Sequence, residues 1–261
     1  LLLASAGWAR TLNRPFHIQI LGNLISRPYV EMTVSMMRSF GADVVKVSDG
    51  YVVGTRQMTP PETYAIEGDA SGASYFLALG ALTGGPVRVV GIGRNSLQGD
   101  VHFADALTQM GADVTYLDNA VEVSRKPGTT LRGISINCLA IPDAAMTFVP
   151  MALCTEGAVE LTGIASWRVK ETDRLDAMVC EMRKFGARVT SGPDWIRVER
   201  GSEIIPARVA TYNDHRMAMS FALAACAGIP VQIENPACTA KTFPDFFKTL
   251  FTMVGRNPSL A

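Results

Sequence analysis

The chain lacks an excess of charge of either sign. Its 261 residues hold 24 Lys and Arg against 24 Asp and Glu, a formal net charge of zero. That balance argues against binding nucleic acid or a membrane surface through bulk charge. Cysteine is sparse: Cys138, Cys154, Cys180, Cys226 and Cys238 are odd in number and contain no CxxC pair. This argues against a disulfide scaffold or a zinc site and makes a reducing, cytoplasmic setting the expectation. No apolar run is long enough to span a bilayer, and the most apolar stretch, 217–230, reads as a core helix. The opening Leu1-Leu2-Leu3 has no charged segment before it, so no signal peptide is expected, and the missing initiator Met points to a piece of something longer. Disorder is excluded by 48% hydrophobic against 18% charged residues. The length suits one large domain or two modest ones.

The chain does contain repetition. Phe40-Gly41-Ala42-Asp43-Val44, Met110-Gly111-Ala112-Asp113-Val114 and Phe185-Gly186-Ala187-Arg188-Val189 share one pattern, their glycines 70 and 75 residues apart. Each follows an amphipathic stretch, clearest in Leu175, Met178, Val179, Met182 and Phe185 on one helical face. Glycine at a helix end before a β-branched run reads as helix, stop, strand. A second pattern opens with Asp69, Asp143 or Asp214, continues as a small-residue helix and ends in a strand beginning at Val87, Val159 or Val231, each 72 residues from the next. One unit therefore reads as helix, strand, strand, helix, strand, with turns at Ser48-Asp49-Gly50, Asp118-Asn119 and Ser191-Gly192-Pro193-Asp194 between the middle strands. This predicts an α/β protein whose repeated units pack around a shared core. Pro60 and Pro61, in a stretch without apolar periodicity, mark the expected boundary. The expected division is 1–66, 67–252 and a tail at 253–261.

Cations gather at expected helix starts. Arg168, Lys170 and Arg174 crowd before the helix that begins near Thr172, with Asp173 as its expected cap. Positive side chains there oppose the helix dipole, and an anion in the same place would reconcile the two. Thr211-Tyr212-Asn213-Asp214-His215-Arg216-Met217 opens another helix, with one of only three histidines. From spacing alone, Asp143 and Asp214 are equally readable as helix caps or as working carboxylates. Lys241 lies between the last strand and a final aromatic-rich helix, and in Ser26-Arg27-Pro28-Tyr29 the serine is an expected cap and the proline fits a first turn. Four such cationic places in a neutral chain predict one cleft for a small polyanion.

Seven segments together resemble the 3-phosphoshikimate 1-carboxyvinyltransferase (EPSP synthase) family. They are Leu24-Ile25-Ser26-Arg27-Pro28-Tyr29, Glu67-Gly68-Asp69-Ala70-Ser71, Asn95-Ser96-Leu97-Gln98-Gly99-Asp100, Pro142-Asp143-Ala144-Ala145-Met146-Thr147, Trp167-Arg168-Val169-Lys170-Glu171-Thr172-Asp173-Arg174, the run from Tyr212 through Met219, and the run from Cys238 through Phe246. The likeness extends in order over about 21–251. It implies two globules of βαβαββ units in pseudo-three-fold arrangement, an inside-out α/β barrel with an incomplete N-terminal part. It implies transfer of the enolpyruvyl group of phosphoenolpyruvate to the 5-hydroxyl of shikimate 3-phosphate, without cofactor or metal, by a monomer that contacts neither nucleic acid nor membrane.

Carried over by position, Asp143, Glu171 and His215 are the catalytic candidates. Asp143 would act as base on the 5-hydroxyl, and Glu171 would manage the proton at the methylene carbon. Ser26, Tyr29, Asp143, Ser166 and Lys170 would hold shikimate 3-phosphate, and Arg174, Arg216 and Lys241 would hold phosphoenolpyruvate. Ser166 stands where relatives carry Asn, and Gly72 where they carry Ser. The family's N-terminal Lys-Ser, Gly-Asn-Ala-Gly-Thr and Ser-Ser-Gln motifs are expected before Leu1, so the chain alone is expected to be inactive. The alternatives are the related UDP-N-acetylglucosamine enolpyruvyl transferase and a non-catalytic remnant that binds anions.

Overall fold

The computed structural model describes residues 1–22 and 24–255. By its internal packing the chain divides into two compact units, Leu1–Glu67 with Leu97–Gly99, and Gly68–Ser96 with the chain from Asp100 onward. The first unit runs α1 (Leu2–Thr11), β1 (Phe16–Gln19), α2 (Arg27–Ser39), β2 (Val44–Val47) and β3 (Gly50–Val53). Its three strands pair antiparallel in the order β1-β3-β2. Ala6, Val34, Met37, Val44, Tyr51 and Val53 form its core. Gly41 ends α2 at φ 81°, a conformation open to glycine without steric cost, so the chain reverses there into β2.

The second unit runs α3 (Ala70–Thr83), β4 (Val87–Val90), α4 (Phe103–Gln109), β5 (Asp113–Tyr116), β6 (Ala120–Ser124), β7 (Leu131–Asn137), α5 (Phe148–Met151) and β8 (Thr155–Thr162). It continues through α6 (Arg174–Lys184), β9 (Arg188–Ser191), β10 (Trp195–Glu199), β11 (Ala207–Val209), α7 (His215–Cys226), β12 (Val231–Ile233) and α8 (Phe246–Met253). The strands form three sheets, ordered β4-β6-β5, β7-β8-β10-β9 and β11-β12. Within them, β7 with β8 and β11 with β12 are parallel, bridged by α5 and α7 respectively. Every other pair is antiparallel.

Burial explains the layering. α3 is buried from Ala70 to Leu82 and α7 from His215 to Ala224, so neither has a solvent face. A helix apolar all round belongs in a core. α7 packs against both α3 and α5, while the sheets alternate buried and exposed positions, as in β10. Helices thus lie inside and sheets outside, the inverted α/β barrel. The expected amphipathic face of α6 is buried at Leu175, Met178, Val179, Met182 and Phe185.

The unit that the residues suggested lacked one strand. β7 and β11 each precede an Asp-led helix, and β7, α5, β8, α6, β9 and β10 make one full βαβαββ copy. The stretch read as a tail starts at Met253, which is the last residue of α8, and 256–261 lie outside the described residues. No helix of the described residues is long and apolar enough to cross a membrane. All five cysteines are free.

Candidate active site

Two loops and two helix starts of the second unit bring the charged residues together. Asp173 caps α6 by accepting from the Asp176 amide at 3.1 Å, which fixes the entry of Arg174 into the helix. Arg174 then points inward, its side chain 1% exposed. A buried guanidinium needs partners on all sides. Its Nε donates to Asp214 Oδ2 at 2.7 Å, its Nη1 to Asp143 Oδ1 at 3.0 Å and its Nη2 to Glu171 Oε2 at 2.5 Å.

Arg216 enters from the first turn of α7. Its Nη2 donates to Asp143 Oδ2 at 3.1 Å, and its Nη1 lies 3.4 Å from the hydroxyl of Tyr75, a fully buried residue of α3. Lys170 Nζ is 3.6 Å from Asp143 Oδ1, and Lys241 Nζ is 2.5 Å from Glu171 Oε1. His215 is buried beside Asp214, its Nδ1 3.6 Å from Oδ1, too long for a hydrogen bond. Four cations therefore surround three carboxylates, leaving the cluster one positive charge with His215 neutral.

The supports come from all sides. The indole of Trp167, fully buried, donates to the Pro142 carbonyl at 2.7 Å, one residue before Asp143. The hydroxyls of Ser74 in α3 and Thr147 share a hydrogen bond of 2.9 Å, anchoring the other end of the same turn. Asp214 caps α7 through the Arg216 amide at 2.9 Å.

The ionisation of the cluster follows from these contacts. Burial alone would raise the Asp143 carboxyl, but Arg216, Arg174 and Lys170 together hold it below the ordinary carboxylate range. Glu171 behaves alike: against the effect of burial, the Lys241 hydrogen bond and the Arg174 charge bring it down to about 2. Burial and the Arg216 charge lower the His215 imidazole, against the opposing charges of Asp214 and Glu171. At neutral pH the site thus holds two ionised carboxylates and a neutral imidazole.

Of the residues singled out from sequence, Asp143, Lys170, Glu171, Arg174, His215, Arg216 and Lys241 share this cluster. Ser166 lies in the 3-10 turn Ala165–Val169, half-buried beside Trp167. Ser26 and Tyr29 belong to the first unit, where Ser26 does not cap α2 with its side chain. Its backbone is left-handed, φ 55° and ψ 41°, so the expected cap is replaced by a backbone turn in which the Tyr29 amide donates to the Ser26 carbonyl. Arg168 binds Asp173, Asp176 and the carbonyls of Gly192 and Pro193, which makes it a local brace.

Sequence reasoning missed Tyr75 and left the role of Asp214 open. A tyrosine inside a fully buried helix of small and apolar residues, and an arginine at the start of another, were the available signals.

The EPSP synthase (3-phosphoshikimate 1-carboxyvinyltransferase) family model matches residues 8–250. The chain belongs to the EPSP synthase family. Among curated relatives, the 3-phosphoshikimate 1-carboxyvinyltransferase of Edwardsiella ictaluri is 51% identical over 233 residues, 88% of this chain and 54% of its own length. That of Cupriavidus taiwanensis is 49% identical over 253 residues, 94% of this chain and 58% of its own length. Among solved structures, EPSP synthase from Acinetobacter baumannii superimposes with a TM-score of 0.68 at 28% identity, over 85% of this chain and 54% of that one. The enolpyruvyl transferase NikO from Streptomyces tendae gives the same TM-score at 20% identity over 90% of this chain, a likeness of fold alone. This EPSP synthase family chain spans little more than half the length of the curated relatives it matches.

Proposed function

We propose that the chain is the C-terminal part of an enzyme that transfers the enolpyruvyl group of phosphoenolpyruvate to the 5-hydroxyl of shikimate 3-phosphate, releasing phosphate. The observation that carries this reading is the cluster in which four cations outnumber three carboxylates within a chain of zero net charge, buried at Arg174, Asp214 and Arg216 and open at Lys170, Glu171 and Lys241. Such a cluster selects a small polyanion.

Arg174, Arg216 and Lys241 are the groups for the phosphate and carboxylate of phosphoenolpyruvate, with His215 beside them. Lys170, Ser166, Ser26 and Tyr29 are assigned to shikimate 3-phosphate. Asp143, ionised, takes the proton of the attacking 5-hydroxyl as general base. Glu171 gives a proton to the methylene carbon and later takes one back as phosphate leaves the tetrahedral ketal. In the ligand-free site Glu171 is too acidic for the first step, because Lys241 and Arg174 face it. A bound phosphoenolpyruvate trianion would draw both cations away and add negative charge, raising Glu171 towards a protonated state. Fixed cations around the departing phosphate stabilise the charge that develops there. The enzyme is read as cytoplasmic, monomeric when complete, and confined to small-molecule substrates.

The test is phosphate release from phosphoenolpyruvate plus shikimate 3-phosphate, with this chain alone and with the separately made N-terminal half of a relative. Turnover is expected on mixing and not from the chain alone. In the mixed enzyme, Asp143→Ala and Glu171→Ala should each abolish turnover while the fold persists. No turnover from mixed chains that are folded and associated would favour the anion-binding remnant. Turnover with UDP-N-acetylglucosamine in place of shikimate 3-phosphate would favour the nucleotide-sugar enzyme.

A further inference from the structure

A second buried carboxylate, outside the ionic cluster, holds the loop that delivers Asp214, His215 and Arg216. Glu181 lies on α6 and is fully buried. Its Oε1 accepts from the Tyr212 hydroxyl at 2.8 Å and its Oε2 from the Ala210 amide at 3.1 Å, while Lys184 Nζ stands 2.6 Å from Oε2. Three donors satisfy the carboxylate, so its burial leaves no oxygen unpaired. Two of the three come from the segment between β11 and α7.

That segment is strained. Tyr212 and Asn213 are consecutive left-handed residues, at φ 52° and 56°. Asparagine tolerates this region through its short polar side chain, but a bulky tyrosine there is an outlier that its surroundings must hold in place. The turn closes through the Asp214 amide and the Thr211 carbonyl at 2.8 Å, and directly afterwards Asp214 caps α7. Arg174 and Glu181 are seven residues apart on α6, two helical turns, and so share one face. α6 grips the loop twice: Arg174 holds Asp214, and Glu181 holds Tyr212 and Ala210.

We propose that Glu181 and Tyr212 form a clamp that positions Asp214, His215 and Arg216, acting through the loop without touching substrate. Loss of the clamp lets the left-handed turn relax, and the first residues of α7 move with it. The catalytic consequence rests on the proposed function; the positioning itself does not.

His215 supplies a direct readout, since only three histidines are present and the other two, His17 and His102, have exposed side chains. The imidazole faces Asp214 and Glu171, which favour its protonation, and Arg216 and Arg174, which oppose it; burial is the largest influence and lowers it. Proton NMR titration of the parent chain should therefore show one ring titrating below the ordinary histidine midpoint. In Tyr212→Phe and Glu181→Gln the shift of the first residues of α7 should open that ring to water, so its midpoint should move up. Glu181→Ala, which keeps no acceptor, should move it further than Glu181→Gln. Tyr212→Phe removes one hydroxyl from a half-exposed residue, so the fold survives and the measurement can be read.

An unchanged His215 midpoint in folded Tyr212→Phe and Glu181→Gln would overturn the clamp, even if both melt earlier, because a purely stabilising role lowers the melting temperature alone. In the completed enzyme, Tyr212→Phe should raise KM for phosphoenolpyruvate about tenfold with a smaller change in kcat, the size expected for one lost hydrogen bond to a charged group. The NMR midpoint decides the clamp whether or not the completed enzyme turns over.

Discussion

Asp143 and Asp214 open equivalent helices in two copies of one repeat, and they do different work. Asp214 has extended backbone, φ −103° and ψ 117°, and its carboxylate caps α7 through the Arg216 amide while binding Arg174. Asp69, in a third copy, likewise caps α3 through the Ser71 amide. Asp143 has helical backbone, φ −83° and ψ −42°, and makes no cap. The reason is local: the Ala145 amide, which a cap would claim, already donates to the Ile141 carbonyl at 2.9 Å. This turn, closed from Ala145 back to Ile141, frees the Asp143 carboxylate for Arg174, Arg216 and Lys170. The same residue at the same place in a repeat becomes a structural cap or a site-facing carboxylate according to whether the amide two positions on is satisfied.

The largest effect should come from Asp214→Ala. Asp214 is fully buried, and its loss removes both a cap and two Arg174 hydrogen bonds. Breaking a buried pair by removing one partner costs about 3–5 kcal/mol. Urea unfolding of the chain measures it, and a loss as small as that from an exposed cap would show that Arg174 finds other partners.

Asp143→Ala should cost less, about 1–2 kcal/mol at neutral pH, since Arg174 keeps Asp214 and Glu171, and Arg216 keeps Tyr75. That difference has a pH signature. The folded-state pKa values of Asp143 and Glu171 lie below their unfolded values. Their contribution is therefore full above the unfolded range near pH 4 and is lost as pH falls through the folded values, about 2 for Glu171. The gap between parent and Asp143→Ala should narrow as pH falls below the unfolded carboxylate range near 4 and through the lowered folded value of Asp143, whereas the part of the Asp214→Ala gap owed to chain packing persists. A gap that stays constant across that window would mean that Asp143 acts in stability through shape, not charge.

These contrasts also mark what sequence could and could not reveal. The glycines after α2, α4 and α6 and the turns between paired strands were legible because the rule is local: Gly41, Gly111 and Gly186 all take left-handed φ. β7 was not, since Gly133 interrupts it at a register irregularity against β8, and β11 has only three residues. The cationic cluster was legible as a set of helix starts, but its pairings span from 3 residues, Glu171 to Arg174, to 73, Asp143 to Arg216. Only the three-dimensional packing of α6 against the start of α7 decides which carboxylate meets which arginine. The choice between cap and site-facing carboxylate at Asp143 turned on one backbone amide, which no side-chain pattern encodes.

Asp69→Ala should follow in size, at about 1 kcal/mol, the ordinary worth of a cap without a buried ion pair. Asp69 resembles Asp214 in capping geometry but pairs with no arginine among the described residues, so the two substitutions separate the cap from the pair. Equal losses in thermal or urea unfolding would remove the distinction.

Gly72→Ser is the smallest and tests how alike the caps are. Gly72 is the third residue of α3, the place held by Met217 in α7 and Met146 in the Asp143 copy, so a side chain is compatible with the repeat. A Cβ at Gly72 would meet Asp69 Oδ2 at 3.1 Å, close enough to push the cap by a few tenths of an ångström. Against that, replacing glycine within a helix recovers roughly half a kcal/mol of backbone entropy. The two effects oppose, and the net change should stay within about 0.5 kcal/mol. A loss above about 1 kcal/mol, the size of the whole cap, would show that the Asp69 carboxylate requires the space that glycine leaves and that this cap, unlike that of Asp214, is fixed by steric room and not by an ion pair.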